Sequence, residues 1–285
     1  MIFCRYKRCG LKALRIALFV SWPVLAWGLS DVAIYNDSAY PFGGVWTTGL
    51  SAIMTMLETY GYTYVSVTPD EVNQADLTSI ARVILFGGGW AGGYSTYLNA
   101  GGYEHLRQFV RQGGGYLGIC AGAYLACDAI FWKPDPITWG EWIDYPLNLF
   151  PGAGVGVAPG IQAWTEPTGC KTPISQGAAM TTIRIDQKFF TTLSEPLSIL
   201  YYGGPVLIPD ATRQNSVQIV GKYVVHASPA DGLPAMVMAT YGKGRLFLSG
   251  PHPEISFDAS TCSLFPNTQG WIVLHQVLQH LIEDR

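Results

Sequence analysis

A cysteine stands between two glycines in Gly118-Ile119-Cys120-Ala121-Gly122, and no other segment of the chain is better suited to covalent chemistry. An apolar, strand-like run, Tyr116–Ile119, precedes it and a helix-like run, Ala121–Ala126, follows. A sharp strand-to-helix turn lifts its apex side chain out of the sheet, and small flanking residues relieve the crowding such a turn creates. A helix start beneath the thiol favours its thiolate through the dipole and free N–H groups. The N–H of Ala121 then points to where a tetrahedral oxyanion would form. The pentapeptide alone is equally compatible with a small-residue turn around a buried, inert cysteine.

A second segment, Gly250-Pro251-His252-Pro253-Glu254, follows the strand-like run Arg245–Leu248. A histidine and a glutamate two apart on extended chain point to the same side. Glu254 can orient His252 and stabilise its charged form, while His252 takes the proton of Cys120. His105, His226, His275 and His280 lack an acid two residues on after a strand, and the last two read as polar positions of a closing helix.

Elements that would position these residues alternate along the chain. Strands are expected at Asp31–Tyr35, Tyr62–Val67, Ala81–Phe86 and Tyr116–Ile119, with helices at Trp46–Tyr60 and Tyr103–Arg111. Such units imply a parallel sheet covered by helices on both faces, with ligands beyond the carboxyl ends of its strands. Later strands are expected at Thr182–Asp186, Ser198–Tyr202, Val217–Val225, Ala235–Tyr241 and Arg245–Leu248, the last two forming a hairpin around Gly242-Lys243. A helix over Gly270–Ile282 closes the chain. The fold class read from this order is α/β: a single flavodoxin-like domain over 31–285 with a mostly parallel sheet and a late antiparallel hairpin. Residues 131–181 are rich in Trp, Pro and Gly and read as an inserted excursion, with a short strand near Gly154–Ala158. Trp132, Trp139, Trp142 and Trp164 either wall a substrate site or form a satellite cluster.

The order Cys120, His252, Glu254 resembles the class I glutamine-amidotransferase-like superfamily, whose members carry a Cys-His-Glu triad with the H-x-E pair at a late strand end. Gly114–Tyr124, Tyr201-Tyr202-Gly203-Gly204-Pro205 and Gly250–Glu254 are similar to one branch. That branch is the amidotransferase-like domain found at the N-terminus of some biotin-protein ligases and as stand-alone bacterial proteins. The resemblance runs from about Asp31 to the C-terminus and is weakest over the Trp-rich middle. It implies a nucleophile at Cys120, a base at His252 and an orienting acid at Glu254. It implies an oxyanion hole from Ala121 and from Gly88 or Gly89 in the Gly87-Gly88-Gly89 run, which read without it is a plain glycine turn. Glutamine-hydrolysing members usually carry Gln or a similar residue two positions after the second elbow glycine; here Tyr124 stands there, so Tyr124 is expected at the substrate site and glutamine is disfavoured. Neither a synthase nor a ligase catalytic domain follows in this sequence, so ligation of biotin by the chain itself is not expected.

The expected activity is hydrolysis of an amide or γ-glutamyl-like bond in a small molecule or peptide, with no cofactor and no metal. The alternatives are a non-catalytic ligand-binding or regulatory module on the same fold and, more weakly, a redox or aldehyde-adduct sensor. The chain is 49% hydrophobic and 13% charged, enough for a sizeable core. Of its 17 basic residues, five (Arg5, Lys7, Arg8, Lys12, Arg15) fall in the first 30 positions, leaving 12 against 20 acidic residues. A body of that balance is a poor match to nucleic acid. The basic start, the apolar run Ile16–Leu29 and the small residues Ala26, Gly28 and Ser30 predict a signal peptide over 1–30, or an uncleaved anchor as the sole membrane contact. An exported protein, periplasmic or secreted, can hold disulfides. With Cys120 free, at most one pair remains among Cys127, Cys170 and Cys262. Cys170–Cys262 is favoured because both lie in loop-like surroundings, whereas Cys127 reads as part of an apolar helix. The oligomeric state is not legible.

Overall fold

The computed structural model describes residues 28–283. The segment read as signal or anchor, with Cys4 and Cys9, lies outside the described residues except for its last three positions. The elements begin with β1 (Ser30–Tyr35), α1 (Thr47–Thr59), β2 (Tyr64–Val67), α2 (Pro69–Gln74), β3 (Ala81–Phe86) and α3 (Ala91–Tyr97). They continue with α4 (Ala100–Arg111), β4 (Gly115–Ile119), α5 (Ala121–Ala126), β5 (Cys127–Trp132), β6 (Glu141–Ile143) and β7 (Phe150–Gly156). Then come β8 (Ala178–Ile185), β9 (Leu197–Tyr202), β10 (Val206–Pro209), β11 (Val217–Val224) and β12 (Pro234–Tyr241). The last are β13 (Gly244–Ser249), β14 (Ile255–Asp258), β15 (Ser263–Pro266) and α6 (Thr268–Glu283).

A nine-stranded sheet in the order β2-β1-β3-β4-β13-β12-β11-β8-β9 is the frame. Successive residues of a strand face opposite sides. Val32, Ile34, Val83 and Leu85 therefore meet Ile53 and Met56 of α1 and Val273 and Val277 of α6 on one face. Ala33, Tyr35, Ile84 and Phe86 meet Leu106, Phe109 and Val110 of α4 on the other. Each fully buried Leu, Ile, Val or Phe in these layers contributes about 1.5–3 kcal/mol. Replacing Ile53, central to the α1 layer, with a charged residue would break that face.

The parallel part ends at β13. The pairings β2–β1, β1–β3, β3–β4 and β4–β13 are parallel, as expected, but β13–β12, β12–β11, β11–β8 and β8–β9 are antiparallel. The expectation of a mostly parallel sheet with one late hairpin is thus corrected to a mixed α/β sheet. No α-helix lies between β8 and β13. Without a helical crossover the chain returns alongside itself, and that makes antiparallel pairs.

The Trp-rich middle contributes a second sheet, β10-β7-β5-β6. It starts earlier than expected, because Cys127 ends α5 with extended backbone and opens β5 instead of continuing a helix. The middle is also not a satellite cluster. Val155 and Trp164 pack on one face of the main core, and Ile130 and Phe150 belong to the other. A separate small cluster does exist around Cys170, Ile174 and Phe257. There Cys170 is bonded to Cys262 across 92 residues, and Cys120 and Cys127 are free thiols.

Candidate functional site

The C-terminal ends of β3, β4 and β13 converge on one spot. Cys120 occupies the turn from β4 into α5 with φ 51° and ψ −103°, a conformation that side-chain-bearing residues rarely adopt. Strain of this kind costs on the order of 1–3 kcal/mol and persists only where the surroundings impose it. Here the N–H of Cys120 donates to Ser249 O (2.8 Å), that of Gly122 to Gly87 O (3.1 Å) and that of Tyr124 to Cys120 O (3.0 Å). The turn packs so closely that a Cβ on Gly122 would lie 2.1 Å from Phe86 O. This contact is the steric reason for the second elbow glycine.

His252 sits where the chain leaves β13, tied by its N–H to Leu200 O (2.7 Å) at the end of β9. Its Nδ1 bonds Glu254 Oε1 at 2.8 Å, and both side chains are fully buried. Glu254 is held in turn by Trp271 of α6, whose Nε1 donates to the Glu254 carbonyl (2.8 Å). Nε2 of His252 is buried with no hydrogen-bond partner of ordinary geometry, and His252 and Cys120 line the same cleft. Burial works against the imidazolium, but the Glu254 carboxylate and the adjacent Cys120 outweigh it and raise the pKa of His252 to about 10. The Cys120 thiol, 5% exposed, lies 3.5 Å from Tyr202 O.

The expected oxyanion donors separate. Gly88 lies flat on the imidazole, where a Cβ would come within 2.3 Å of His252 Cε1, so it serves as a backstop. Gly89 lines the cleft. It opposes Val45 in an antiparallel bridge flanked by Trp46 N–H to Gly88 O (2.9 Å) and Trp90 N–H to Gly44 O (2.7 Å). In such a pair the residue's own N–H points away from the opposing strand. Ala121 is buried at the start of α5, next to Cys120. Tyr124 lines the cleft. Its hydroxyl donates to Gly203 O (3.0 Å), and burial pushes its pKa well up, so it remains a neutral donor. The Tyr201–Pro205 segment is clamped by such bonds, Tyr201 donating to Gly204 O and Tyr223 to Pro205 O, each at 3.0 Å.

A sequence profile described as biotin-protein ligase, N terminal, matches residues 30–280. The chain belongs to this family. It is 24% identical over 232 residues to a biotin–protein ligase of Schizosaccharomyces pombe, covering 81% of this chain and 34% of that one. It is 29% identical over 185 residues to an uncharacterized protein of Chlamydia muridarum, covering 64% and 63% of the two chains. The chain thus spans about a third of the first relative and under two thirds of the second. Among solved structures, a β-galactosidase from Bacillus circulans sp. alkalophilus matches with a TM-score of 0.52 at 13% identity, over 88% of this chain and 31% of that one. A ThuA-like protein from Parabacteroides merdae matches with a TM-score of 0.51 at 11% identity, over 90% and 92%. These two likenesses show the fold alone.

In this member of the biotin-protein ligase N-terminal family, the cleft beside Cys120 encloses about 540 Å³. Two of the four tryptophans flagged in the middle segment line it, Trp132 and Trp164. Trp139 is 95% exposed, and Trp142 packs on Phe131 (5.2 Å between ring centroids) outside the cleft. Sequence reasoning missed Trp46, which stands edge-on to the His252 ring at 5.3 Å, and Tyr202, 5.6 Å from Trp46. It also missed Asp37. This fully buried carboxylate follows β1 and accepts the N–H groups of Gly44 (2.7 Å) and Val45 (2.9 Å), which shapes the loop that carries Trp46. Asp37 had a legible signal, an acid at the carboxyl end of a strand, where α/β sheets place their sites. Tyr202 lay within the Tyr201–Pro205 motif that carries the family resemblance, whereas Trp46 had no signal, since an aromatic beside a turn is as often core.

Proposed function

We propose that the protein is an exported thiol hydrolase of amide or γ-glutamyl-like bonds. The observation that carries this reading is the strained Cys120 sharing a cleft with a buried, Glu254-bonded His252. The thiol proton passes to His252 Nε2, and Sγ attacks the substrate carbonyl. The carbonyl electrons move onto oxygen, held by the N–H groups of Ala121 and Gly89. When the oxyanion collapses the C–N bond breaks, and the Nε2 proton leaves with the amine. Water then loses a proton to Nε2 and attacks the thioester, and the thiolate departs and is reprotonated. Glu254 keeps the imidazole oriented through Nδ1 and stabilises its charged form whenever Nε2 carries the proton. Ligation of biotin is not part of the proposal, since the likeness to the yeast ligase involves 34% of that protein.

Export rests on the basic-then-apolar N-terminus. β1 runs parallel to β3 and, through it, to β4 and β13, so β1 begins at the end of the sheet opposite the cleft. N-terminal sequencing of the mature protein tests export, and a chain that still starts at Met1 excludes cleavage.

The decisive experiment for the chemistry is peptide-mapped alkylation of Cys120 with iodoacetamide. The rate should fall in His252→Ala at neutral pH, and amide turnover should vanish in Cys120→Ser. Retained turnover in both variants would exclude this set of residues. The near-complete burial of Cys120 favours a second reading, a non-catalytic ligand-binding module. Slow alkylation unaffected by His252 would favour it.

A further inference from the structure

The walls of the cleft constrain its ligand. Trp46 meets Tyr202 at 5.6 Å, Tyr202 stacks on Trp164 at 5.1 Å, and Trp164 meets Trp132 at 6.1 Å. These rings form a continuous aromatic surface within the cleft that Cys120 lines, from Trp46 beside His252 to Trp132. At its far end Glu141, on β6 directly opposite Trp132 of β5, contributes the one carboxylate that lines the cleft among the described residues. Opposed residues of paired strands project to the same face, so carboxylate and indole are held side by side. Among the described residues, no Lys or Arg lines the cleft, and the one cationic side chain there, His252, is already paired with Glu254.

An aromatic wall attracts cations through the negative faces of its rings, and a neighbouring carboxylate adds to that attraction. A free carboxylate on the ligand would meet ring faces and Glu141 with no cationic side chain to answer it. We propose that the cleft binds a cationic group of the substrate, an ammonium or guanidinium seated against Trp132 and Trp164 beside Glu141. The scissile amide then lies toward Cys120, an orientation that rests on the hydrolase reading. The substrate class narrows to amides that carry a cation and no free carboxylate, which sets aside glutamine and simple γ-glutamyl compounds.

The test is binding, read on the full chain carrying Cys120→Ala so that no turnover or adduct contributes. Benzyltrimethylammonium, benzyl alcohol and benzoate are titrated by isothermal calorimetry. The cation should bind about tenfold more tightly than the alcohol, with benzoate weakest. Glu141 is exposed, so Glu141→Gln should keep the melting temperature while weakening the cation about fivefold and leaving the alcohol unchanged. Equal or tighter binding of the alcohol or benzoate, no effect of Glu141→Gln on the cation, or binding of none of the three would overturn the proposal. Failure of the hydrolase reading appears separately, in the His252 dependence of Cys120 alkylation.

Discussion

Helix α5 has a free thiol at each end, Cys120 before its first residue and Cys127 after its last, and the two meet opposite physics. Cys120 adopts a left-handed backbone at the N-terminal end, lines a cleft and neighbours His252. Cys127 has ordinary extended backbone at the C-terminal end, and its Sγ lies 3.2 Å from Ala123 O. Burial, aided by the nearby Asp128, pushes its thiol far up. Helix polarity favours an anion at the first position and opposes it at the second. Both thiols are buried, so what separates them is the helix end each occupies and what faces it.

The largest contrast expected is in turnover. Cys120→Ala should reduce amide hydrolysis by about a thousandfold or more, while Cys127→Ala leaves it within about twofold, read as kcat/KM on one amide. Removing the partner comes next. His252→Ala should cost about 10²–10⁴ in kcat, the range for a general acid–base group.

The same histidine yields a pH signature. Its pKa is raised in the fold, so its contribution to stability is whole below about 6.5, the unfolded value, and is lost as pH rises through about 10. The difference in melting temperature between wild type and His252→Asn should therefore shrink from pH 6 to pH 11. A difference that grew over that range would mean Glu254 does not hold the imidazolium.

Two smaller effects probe the frame. Reducing Cys170–Cys262 opens a link spanning 92 residues and should cost about 4.6 kcal/mol by chain entropy, measured by denaturant unfolding with and without reductant. At the elbow, Cys120→Gly should be more stable than Cys120→Ala by about 1 kcal/mol, because glycine accepts φ 51° without a Cβ penalty. Equal stabilities would mean the turn is not strained.

Local pattern made the parallel half legible. β3 and the start of α5 stand where apolar runs and glycine stops put them, because each such element is specified by residues near one another in sequence. The Cys170–Cys262 pairing was also within reach, since loop composition set those two cysteines apart. The antiparallel half was less accessible. Its strands were visible, but which neighbour each takes depends on crossovers that are absent. β10, β14 and β15 are four residues each, too short for a periodic signal.

For the site, sequence alone determined the chemistry on offer: a cysteine between glycines and a histidine two residues from a glutamate, each in a local context that defines its backbone. Only the tertiary structure decided that these lie in one cleft, that Gly89 rather than Gly88 lines it, and that Trp46, Tyr202 and Trp164 enclose it. Those residues come from a loop after β1, the end of β9 and the middle segment, and nothing local links them. Packing of the two sheets joins them, and that depends on the whole chain.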